Sequence, residues 1–276
     1  MAHLAPARER SASSPVDPGL TPEKARARPD RARWVAPAAA VTVLLTWEAL
    51  SRTGVLSSLY FPSPTTITRS LATMAADGTL AHHGGATLFR MAIGLAAGGG
   101  AGFLVGVAMG RSERLRGAVD PVIAAFHPIP KIAILPLVMI FFGIGEISKL
   151  SVIALAAFFP MSISTLAGVR QIPAIHFEVA ANCGAGRLDV LRRVVLPASL
   201  PAVLGGFRIA LNTALLVTIA IEIISAERGL GALIWLAWEV LRVERLYATL
   251  ALIATLGIVS AACMNLIARR LVPWRA

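Results

Sequence analysis

Long apolar stretches alternate with shorter polar ones along most of this 276-residue chain. A helix that crosses a bilayer needs about 20 largely apolar residues, and it satisfies all of its backbone polar groups within one segment. The pattern predicts six such spans: Trp34–Leu50, Leu88–Gly110, Phe126–Ile144, Leu150–Gly168, Val203–Ile224 and Ala248–Ala268. We therefore predict an all-α integral membrane protein with six transmembrane helices.

The composition supports that class of protein. Hydrophobic residues make up 56% of the chain and charged residues 15%, and the mean hydropathy is +0.72. Soluble domains carry about 25% charged residues. The net charge of +11 does not indicate nucleic-acid binding, because the basic residues are spread over several loops and are not gathered on one soluble face. Contact with anionic membrane lipids explains these residues more simply.

The placement of the basic residues predicts an orientation in the membrane. Residues 1–33 are rich in Ala, Arg and Pro, and we expect a disordered basic tail there, followed by a transmembrane domain at residues 34–276. Lys and Arg are concentrated in this tail and in the loops that six spans would place on the same side of the membrane. The positive-inside rule puts that side, with both termini, in the cytoplasm.

Glycine recurs at every fourth position of the second predicted span. These residues form one stripe along a helix: Gly94, Gly98, Gly102, Gly106 and Gly110. A stripe without side chains lets another backbone approach closely, which favours helix association in lipid. The stripe therefore predicts tight helix packing, with a partner helix either in the same chain or in another copy of it.

The third predicted span is interrupted by three prolines within residues 128–136, so we expect it to be kinked or partly unwound. Irregular backbone at membrane depth is tolerated inside protein or beside a water-filled cavity. His127 and Lys131 lie at this break and are candidate pathway residues. Lys131 either meets an anion in such a cavity or extends to the cytoplasmic headgroups. Glu222, near the outer end of the fifth predicted span, is a gate candidate, with capping and surface roles as alternatives.

The longest polar gap between the later spans holds the sequence EVAANCGAGRLDVLRRVVLP, from Glu178 to Pro197. Gly184 can adopt the left-handed conformation that ends a short helix. A second helix can then run from about Gly186 to Leu196, with its apolar residues at helical spacing. Pro197 stops that helix or opens the next one. Such an element either inserts its apolar stripe into a groove on a partner protein or lies on the membrane surface.

These residues follow the pattern E-x-A-x3-G-x9-V-x-L-P. The pattern closely resembles the cytoplasmic "EAA" loop of ABC importer permeases, E-A-A-x3-G-x9-I-x-L-P, with Val179 and Val194 as conservative departures. The resemblance implies that residues 169–202 form the loop on which a separate ATPase subunit docks. The implied docking residues are Glu178, Val179, Ala180, Gly184, Arg187, Leu188, Leu191, Val194, Leu196 and Pro197.

Other segments narrow the resemblance to the nitrate/sulfonate/taurine permeases. The matching stretches include Phe61-Pro-Ser-Pro64, Pro128-Ile-Pro-Lys131, Phe142-Gly-Ile-Gly-Glu-Ile-Ser-Lys149 and Gly229-Leu-Gly231. The resemblance implies a type I importer in the bacterial inner membrane. Its implied parts are two permease copies forming a homodimer, two ATPase subunits that hold ATP and Mg, and an extracytoplasmic substrate-binding protein. The implied substrates are small anions such as taurine, alkanesulfonates, nitrate or bicarbonate.

The chain itself lacks the signs of an enzyme. None of the three lysines, Lys24, Lys131 and Lys149, completes the Gly-Lys-Ser/Thr ending that a phosphate-binding loop needs. No arrangement of a nucleophile with a general base is evident either, so we expect no catalytic residues and no cofactor in this chain. His82 and His83 are adjacent, which places them on different helix faces rather than in one metal site.

Two other functions remain open at this point. The first is an ion-coupled secondary transporter. Such proteins usually show internal repeats and paired intramembrane charges, and the sequence shows neither convincingly. The second is a non-transporting membrane scaffold held together by the glycine stripe.

Overall fold

The computed structural model describes residues 32–225 and 227–273, and in these residues the secondary structure is helical, without strands. The predicted disordered tail lies outside the described residues, except for Ala32 and Arg33, which begin the first helix. The chain divides into two compact units, Met1–Trp47 and Glu48–Ala276. The second unit contains the sites discussed below.

The described part of the chain contains eleven α-helices, with a short 3₁₀ helix before α5 and a π-helical segment before α9. Their bounds are α1 (Ala32–Arg52), α2 (Pro64–Ala76), α3 (Thr79–Arg111), α4 (Glu113–Phe126), α5 (Leu135–Phe142), α6 (Glu146–Arg170), α7 (Ala174–Asn182), α8 (Arg187–Val190), α9 (Leu196–Ser225), α10 (Leu230–Glu239) and α11 (Val243–Leu271).

Four helices of the described residues are long and apolar enough to cross a membrane. They are α3, α6, α11 and the continuous helix Arg187–Ser225, which contains α8 and α9; the bent pair α4 and α5 makes a fifth if it counts as one span. The first predicted span lies within α1, which is not among these four. The predicted all-α membrane fold is confirmed, and six predicted spans are compatible with these helices.

The proline-rich stretch produces a sharp break. Helices α4 and α5 are bent by 92° relative to each other, and the 3₁₀ helix Lys131–Ile134 lies between them. The predicted kink is therefore present. The second and third predicted spans end at Gly110 and begin at Phe126, whereas α4 already begins at Glu113. The Ser112 hydroxyl accepts the backbone N–H of Leu115 at 3.3 Å, and Glu113 lies in the first turn, which together stabilise a helix start.

The glycine stripe of α3 packs against α6 of the same chain, which answers the question that the sequence left open. A Cβ atom on Gly98 would overlap the carbonyl oxygen of Ala154, and a Cβ on Gly102 would lie 2.5 Å from that of Phe158. At the end of the stripe, a Cβ on Gly110 would lie 2.5 Å from a methyl group of Val169. Because any side chain would collide with α6, the stripe is required for this close approach.

The core of the second unit is formed mainly where α3, α6 and α9 meet. Its fully buried members include Ile153 and Ala157 of α6 and Ala214 and Ile221 of α9. Glycines also allow α6 and α9 to approach, since a Cβ on Gly206 would collide with Ser164. These three helices therefore form the scaffold that positions the loop between α6 and α9.

Candidate functional site

The first site is the segment between α6 and α9, residues 174–197, which we call the docking loop. Helix α7 ends in a Schellman motif, in which two backbone N–H groups turn back onto the last helical turn. The N–H of Ala185 donates to Ala180 O at 3.0 Å, and the N–H of Gly184 donates to Ala181 O at 2.9 Å. Gly184 has φ +71°, so the left-handed helix end predicted at this residue is present.

The second half of the docking loop differs from the prediction. Helix α8 starts after Gly186, continues as a π-helix at Leu191–Val195, and runs without interruption into α9. The N–H of Leu196 donates to Leu191 O, five residues back. This wider turn accommodates Pro197, which has no N–H to donate and whose ring would crowd a regular helix. Pro197 therefore lies in the first turn of α9 and does not separate two helices.

The predicted apolar stripe of the second helix divides between two environments. Val195 is fully buried, and Leu191 and Val194 are partly buried, in a cluster with residues of α3 and α6 such as Val107 and Val169. These three side chains anchor the docking loop to its own chain, and the fully buried Val195 is not available to fill a partner's groove. Leu188 is 56% exposed and remains on the outer surface.

The outer surface of the docking loop combines apolar and charged groups. Val179 is 53% exposed, and Glu178, Gly184 and Arg187 are also exposed. Within the described residues, Glu178 forms no ion pair. A cavity of about 490 Å³ opens on this surface, lined by His176, Val179, Arg193, Val194, Pro197 and Ala198. Such a surface can accept both an apolar contact and a cationic partner group.

The second site is a cluster of charged residues that joins α3, α6 and α9, in which Arg90, Lys149 and Glu222 are buried and Glu146 is exposed. Arg90 Nη1 donates to Glu222 Oε1 at 2.7 Å, and Arg90 Nε and Nη2 each donate to a Glu146 oxygen at 2.7 Å. Lys149 Nζ lies 3.4 Å from Glu146 Oε1. Glu222 is fully buried, and Arg90 is 4% exposed. From the sequence alone we found no convincing paired charges within the spans, and this was wrong, because Arg90 and Glu222 lie in two predicted spans and form an ion pair.

Glu222 also holds the turn between α9 and α10. It accepts the Thr87 hydroxyl at 2.9 Å and the N–H of Gly231 at 3.1 Å. Gly229 has φ +132°, and a Cβ there would overlap the Glu222 carboxylate. Glu222 was predicted as a gate candidate, with capping or surface positions as alternatives. The structure excludes the surface alternative, because Glu222 is fully buried. It supports the capping alternative, because the Gly231 N–H that Glu222 accepts lies in the first turn of α10.

His127 and Lys131, the other two pathway candidates, lie at the break after α4. Lys131 Nζ donates to the carbonyl oxygens of Phe126 at 3.1 Å and Ile129 at 2.8 Å, and also to that of His127. It lies 4.4 Å from the ring centre of Phe159. Lys131 therefore satisfies backbone acceptors at the end of α4, and its contact with an anion or with headgroups stays a prediction. His127 is exposed, and its ring lies 5.7 Å from that of Phe159.

Sequence reasoning missed Arg90, Glu146 and Lys149 as members of one site. Arg90 and Glu222 are separated by 132 positions, and nothing local in the sequence connects them. A usable signal was nevertheless present, because each lies inside a predicted span and an unpaired intramembrane charge is costly. Because Arg90 and Glu222 carry opposite charges in the outer halves of two spans, this cost could have been used to predict that they pair.

Comparison with known proteins assigns the chain to a family. The family model of the "binding-protein-dependent transport system inner membrane component" matches residues 98–275. That is more than half of the chain, so the chain belongs to this family and is a membrane permease. The resemblance expected from the docking-loop motif is confirmed.

Two relatives cover most of the chain. The taurine transport system permease protein TauC of Escherichia coli K12 is 39% identical over 240 residues, which cover 85% of this chain and 87% of TauC. The putative aliphatic sulfonates transport permease protein SsuC of Bacillus subtilis 168 is 31% identical over 264 residues, or 94% of this chain and 95% of SsuC.

Solved structures support the fold. A chain of the MetNI methionine ABC transporter, crystallised in an inward-facing conformation, superposes with a TM-score of 0.57 at 20% identity. The match covers 67% of this chain and 94% of that chain. At this identity the likeness concerns the fold, which is that of an ABC importer permease.

Proposed function

We propose that this chain is the permease subunit of an ATP-driven importer for small organic sulfonates, with taurine and alkanesulfonates as the substrate class. The observation that carries the proposal is the docking loop, whose exposed Glu178, Val179 and Leu188 surround a Schellman turn at Gly184. The names of the two relatives, which describe taurine and aliphatic sulfonate permeases, support the substrate class.

The ATPase subunit binds the outer surface of the docking loop. The exposed apolar groups of Val179 and Leu188 enter a groove on the ATPase, and Glu178 accepts a basic residue of it. Because α8 continues through the π-helix into α9, a displacement of α8 is transmitted directly to a membrane span. ATP binding drives the permease toward one state only if the ATPase binds the two loop arrangements with different affinity.

The complete importer contains further subunits. Two copies of this chain pair as a homodimer, each docks one ATPase subunit, and an extracytoplasmic binding protein delivers the sulfonate. ATP and Mg are bound by the ATPase subunits, and this chain performs no chemistry. The docking loop and both termini lie in the cytoplasm, in agreement with the placement of Lys and Arg.

A growth experiment tests this function. An Escherichia coli strain that lacks both its own TauC and its own SsuC receives this chain with its cognate ATPase subunit and binding protein. Growth with taurine or an alkanesulfonate as the sole sulfur source is expected, and sulfate serves as the control source that every strain can use. Growth that requires the chain but persists with a hydrolysis-deficient ATPase subunit would instead favour an ion-coupled transporter.

A further inference from the structure

Arg208 is a cation in the interior of a membrane span that lacks an acidic partner. It lies about 18 Å along α9 from Leu196, at about 1.5 Å per residue. Its guanidinium donates from Nη2 to the amide oxygen of Asn265 on α11. Arg90, the other arginine within a described span interior, has two carboxylate partners, whereas no carboxylate of the described residues lies within 4 Å of the Arg208 nitrogens. Charged side chains in a bilayer are costly and are normally paired, so Arg208 calls for an anion that the described residues do not supply.

A cavity lies beside the Arg208 side chain. It has a volume of about 250 Å³ and opens between α9 and α11, with Gly205 and Arg208 on one wall and Asn265 and Arg269 on the other. A Cβ on Gly205 would meet no atom within 4 Å, so this glycine leaves part of the space open. The cavity has room for about eight waters at roughly 30 Å³ each, which is sufficient for a small oxyanion with a short alkyl group.

The polar groups of the cavity are suited to an anion. Asn265 and Arg269 are one helical turn apart on α11, so they lie on the same face of that helix. Arginine offers a planar fork of N–H donors that matches two oxygens of a tetrahedral head group. Since Asn265 accepts from Arg208 through its oxygen, its amide nitrogen is a further donor. No Asp or Glu lines the cavity, and Leu204 and Met264 provide an apolar wall for an alkyl group.

We propose that Arg208, Asn265 and Arg269 form a binding site for a tetrahedral oxyanion head group carried on an apolar stem. Two sources have this chemistry: the sulfonate of the transported molecule and the phosphate of an inner-leaflet lipid. The sulfonate source rests on the proposed function, whereas the lipid source does not. Arg208 and Arg269 bind the oxygens, Asn265 orients Arg208, and Gly205 keeps the cavity open.

The test measures binding to the purified full-length chain in nanodiscs, without transport. One arm uses phosphatidylcholine nanodiscs and isotopically labelled methanesulfonate as the probe. The other arm counts phosphatidylglycerol molecules retained against phosphatidylcholine by native mass spectrometry. The variants are Arg208→Gln, which removes the charge, and Gly205→Leu, which fills the cavity without changing any charge. Gly100→Leu is the matched control, because a Cβ on Gly100 of α3 also meets no atom within 4 Å.

We expect both site variants to bind one of the two probes about tenfold to a hundredfold more weakly than the wild type. This is the effect of losing hydrogen bonds to a charged group. Gly100→Leu should bind like the wild type. A loss confined to methanesulfonate identifies the transported sulfonate as the ligand, and a loss confined to phosphatidylglycerol identifies a lipid. If Arg208→Gln and Gly205→Leu both bind each probe as the wild type does, or if Gly205→Leu alone has no effect, the site is not in this cavity and the proposal is wrong.

The outcome remains separate from that of the proposed function. If the chain does not support growth on any sulfonate, but both site variants retain less phosphatidylglycerol than the wild type, the substrate assignment is wrong and the oxyanion site is supported. A chain that supports growth on taurine but shows wild-type binding in every variant retains its function and lacks the site. Arg208→Lys is a further variant that keeps the positive charge but loses the planar fork of N–H donors. It should fold normally and bind the probe with an affinity between those of the wild type and Arg208→Gln.

Discussion

Arg90 and Glu222 form an ion pair across the contact between α3 and α9, with Arg90 Nη1 2.7 Å from Glu222 Oε1. Glu222 is fully buried, and its other oxygen accepts a backbone N–H from the start of α10. The pair therefore joins three helices at one carboxylate. Burying two charges is favourable only when each finds good partners, and here both are extensively hydrogen-bonded.

Glu222→Ala should strongly destabilise the protein. It removes the buried one of the two carboxylate partners of Arg90 and the acceptor of the Gly231 N–H. Breaking a buried pair from one side costs up to about 3–5 kcal/mol. Glu222→Gln keeps an acceptor and should be less harmful. Thermal unfolding in detergent measures both. Glu239→Ala, at an exposed carboxylate bonded to Trp235, is the control, and equal melting of the Glu222→Ala and Glu239→Ala proteins would contradict the account.

Adding a single methyl group to α3 should have opposite effects on and off the glycine stripe. Gly98→Ala should disrupt the contact between α3 and α6, because the added Cβ overlaps the backbone of Ala154 and backbone cannot easily move aside. Gly100→Ala, two positions on, adds its Cβ to open space and should be neutral or stabilise α3 by up to about 1 kcal/mol. The measurement is the melting temperature and the yield of monodisperse protein. Indistinguishable behaviour of the two variants would show that this close contact is absent.

Gly184 is predicted to matter because of its backbone conformation, and not because a side chain at this position would lack room. A Cβ there meets no atom within 4 Å, yet φ is +71°, so Gly184→Val should strain the turn by about 1–2 kcal/mol and misdirect α8. Gly184→Asn should be tolerated, because Asn adopts the left-handed conformation more readily. Pull-down of the ATPase subunit, together with taurine uptake, measures the effect. Gly186→Ala is the control at a glycine with φ −70°, and normal coupling in Gly184→Val would exclude this turn as the coupling element.

The two cysteines allow a test of orientation without disturbing the loop. Cys183 and Cys263 are both exposed, and Cys183 lies beside Gly184 in the docking loop. In a Cys263→Ser background, we expect an impermeant thiol reagent to label Cys183 in opened membranes but not in intact cells. Ser57→Cys in a chain without the native cysteines should be labelled in intact cells, because Ser57 is exposed and lies between α1 and α2. The opposite pattern would reverse the proposed topology.

Local features of the sequence predicted local features of the structure. The Schellman turn at Gly184, the break near Pro128 and the α3 stripe each depend on residue types whose backbone preferences hold in almost any context. The stripe predicted a close helix contact, but only the structure identifies α6 as the partner. Periodicity shows that a helix face is smooth and carries no information about which helix covers it.

Long-range contacts were beyond the sequence argument. The partners of Arg90 come from α6 and α9, and their association depends on how three helices pack. Lys131 is a similar case, since its ammonium group turns back to the carbonyl oxygens of α4 when the chain bends. Likewise, the apolar residues of the docking loop have helical spacing, but spacing alone did not reveal that Leu191, Val194 and Val195 pack against α3 and α6 while Leu188 faces outward.

Uptake into proteoliposomes tests most directly whether this chain moves a sulfonate when a separate ATPase hydrolyses ATP. The purified chain is reconstituted with its ATPase subunit. ATP is supplied on the side of the membrane that carries the ATPase, and labelled taurine and the binding protein are supplied on the opposite side. We predict taurine accumulation that requires all three proteins and stops with a hydrolysis-deficient ATPase subunit. Accumulation that persists without hydrolysis and collapses with the proton gradient would contradict the account.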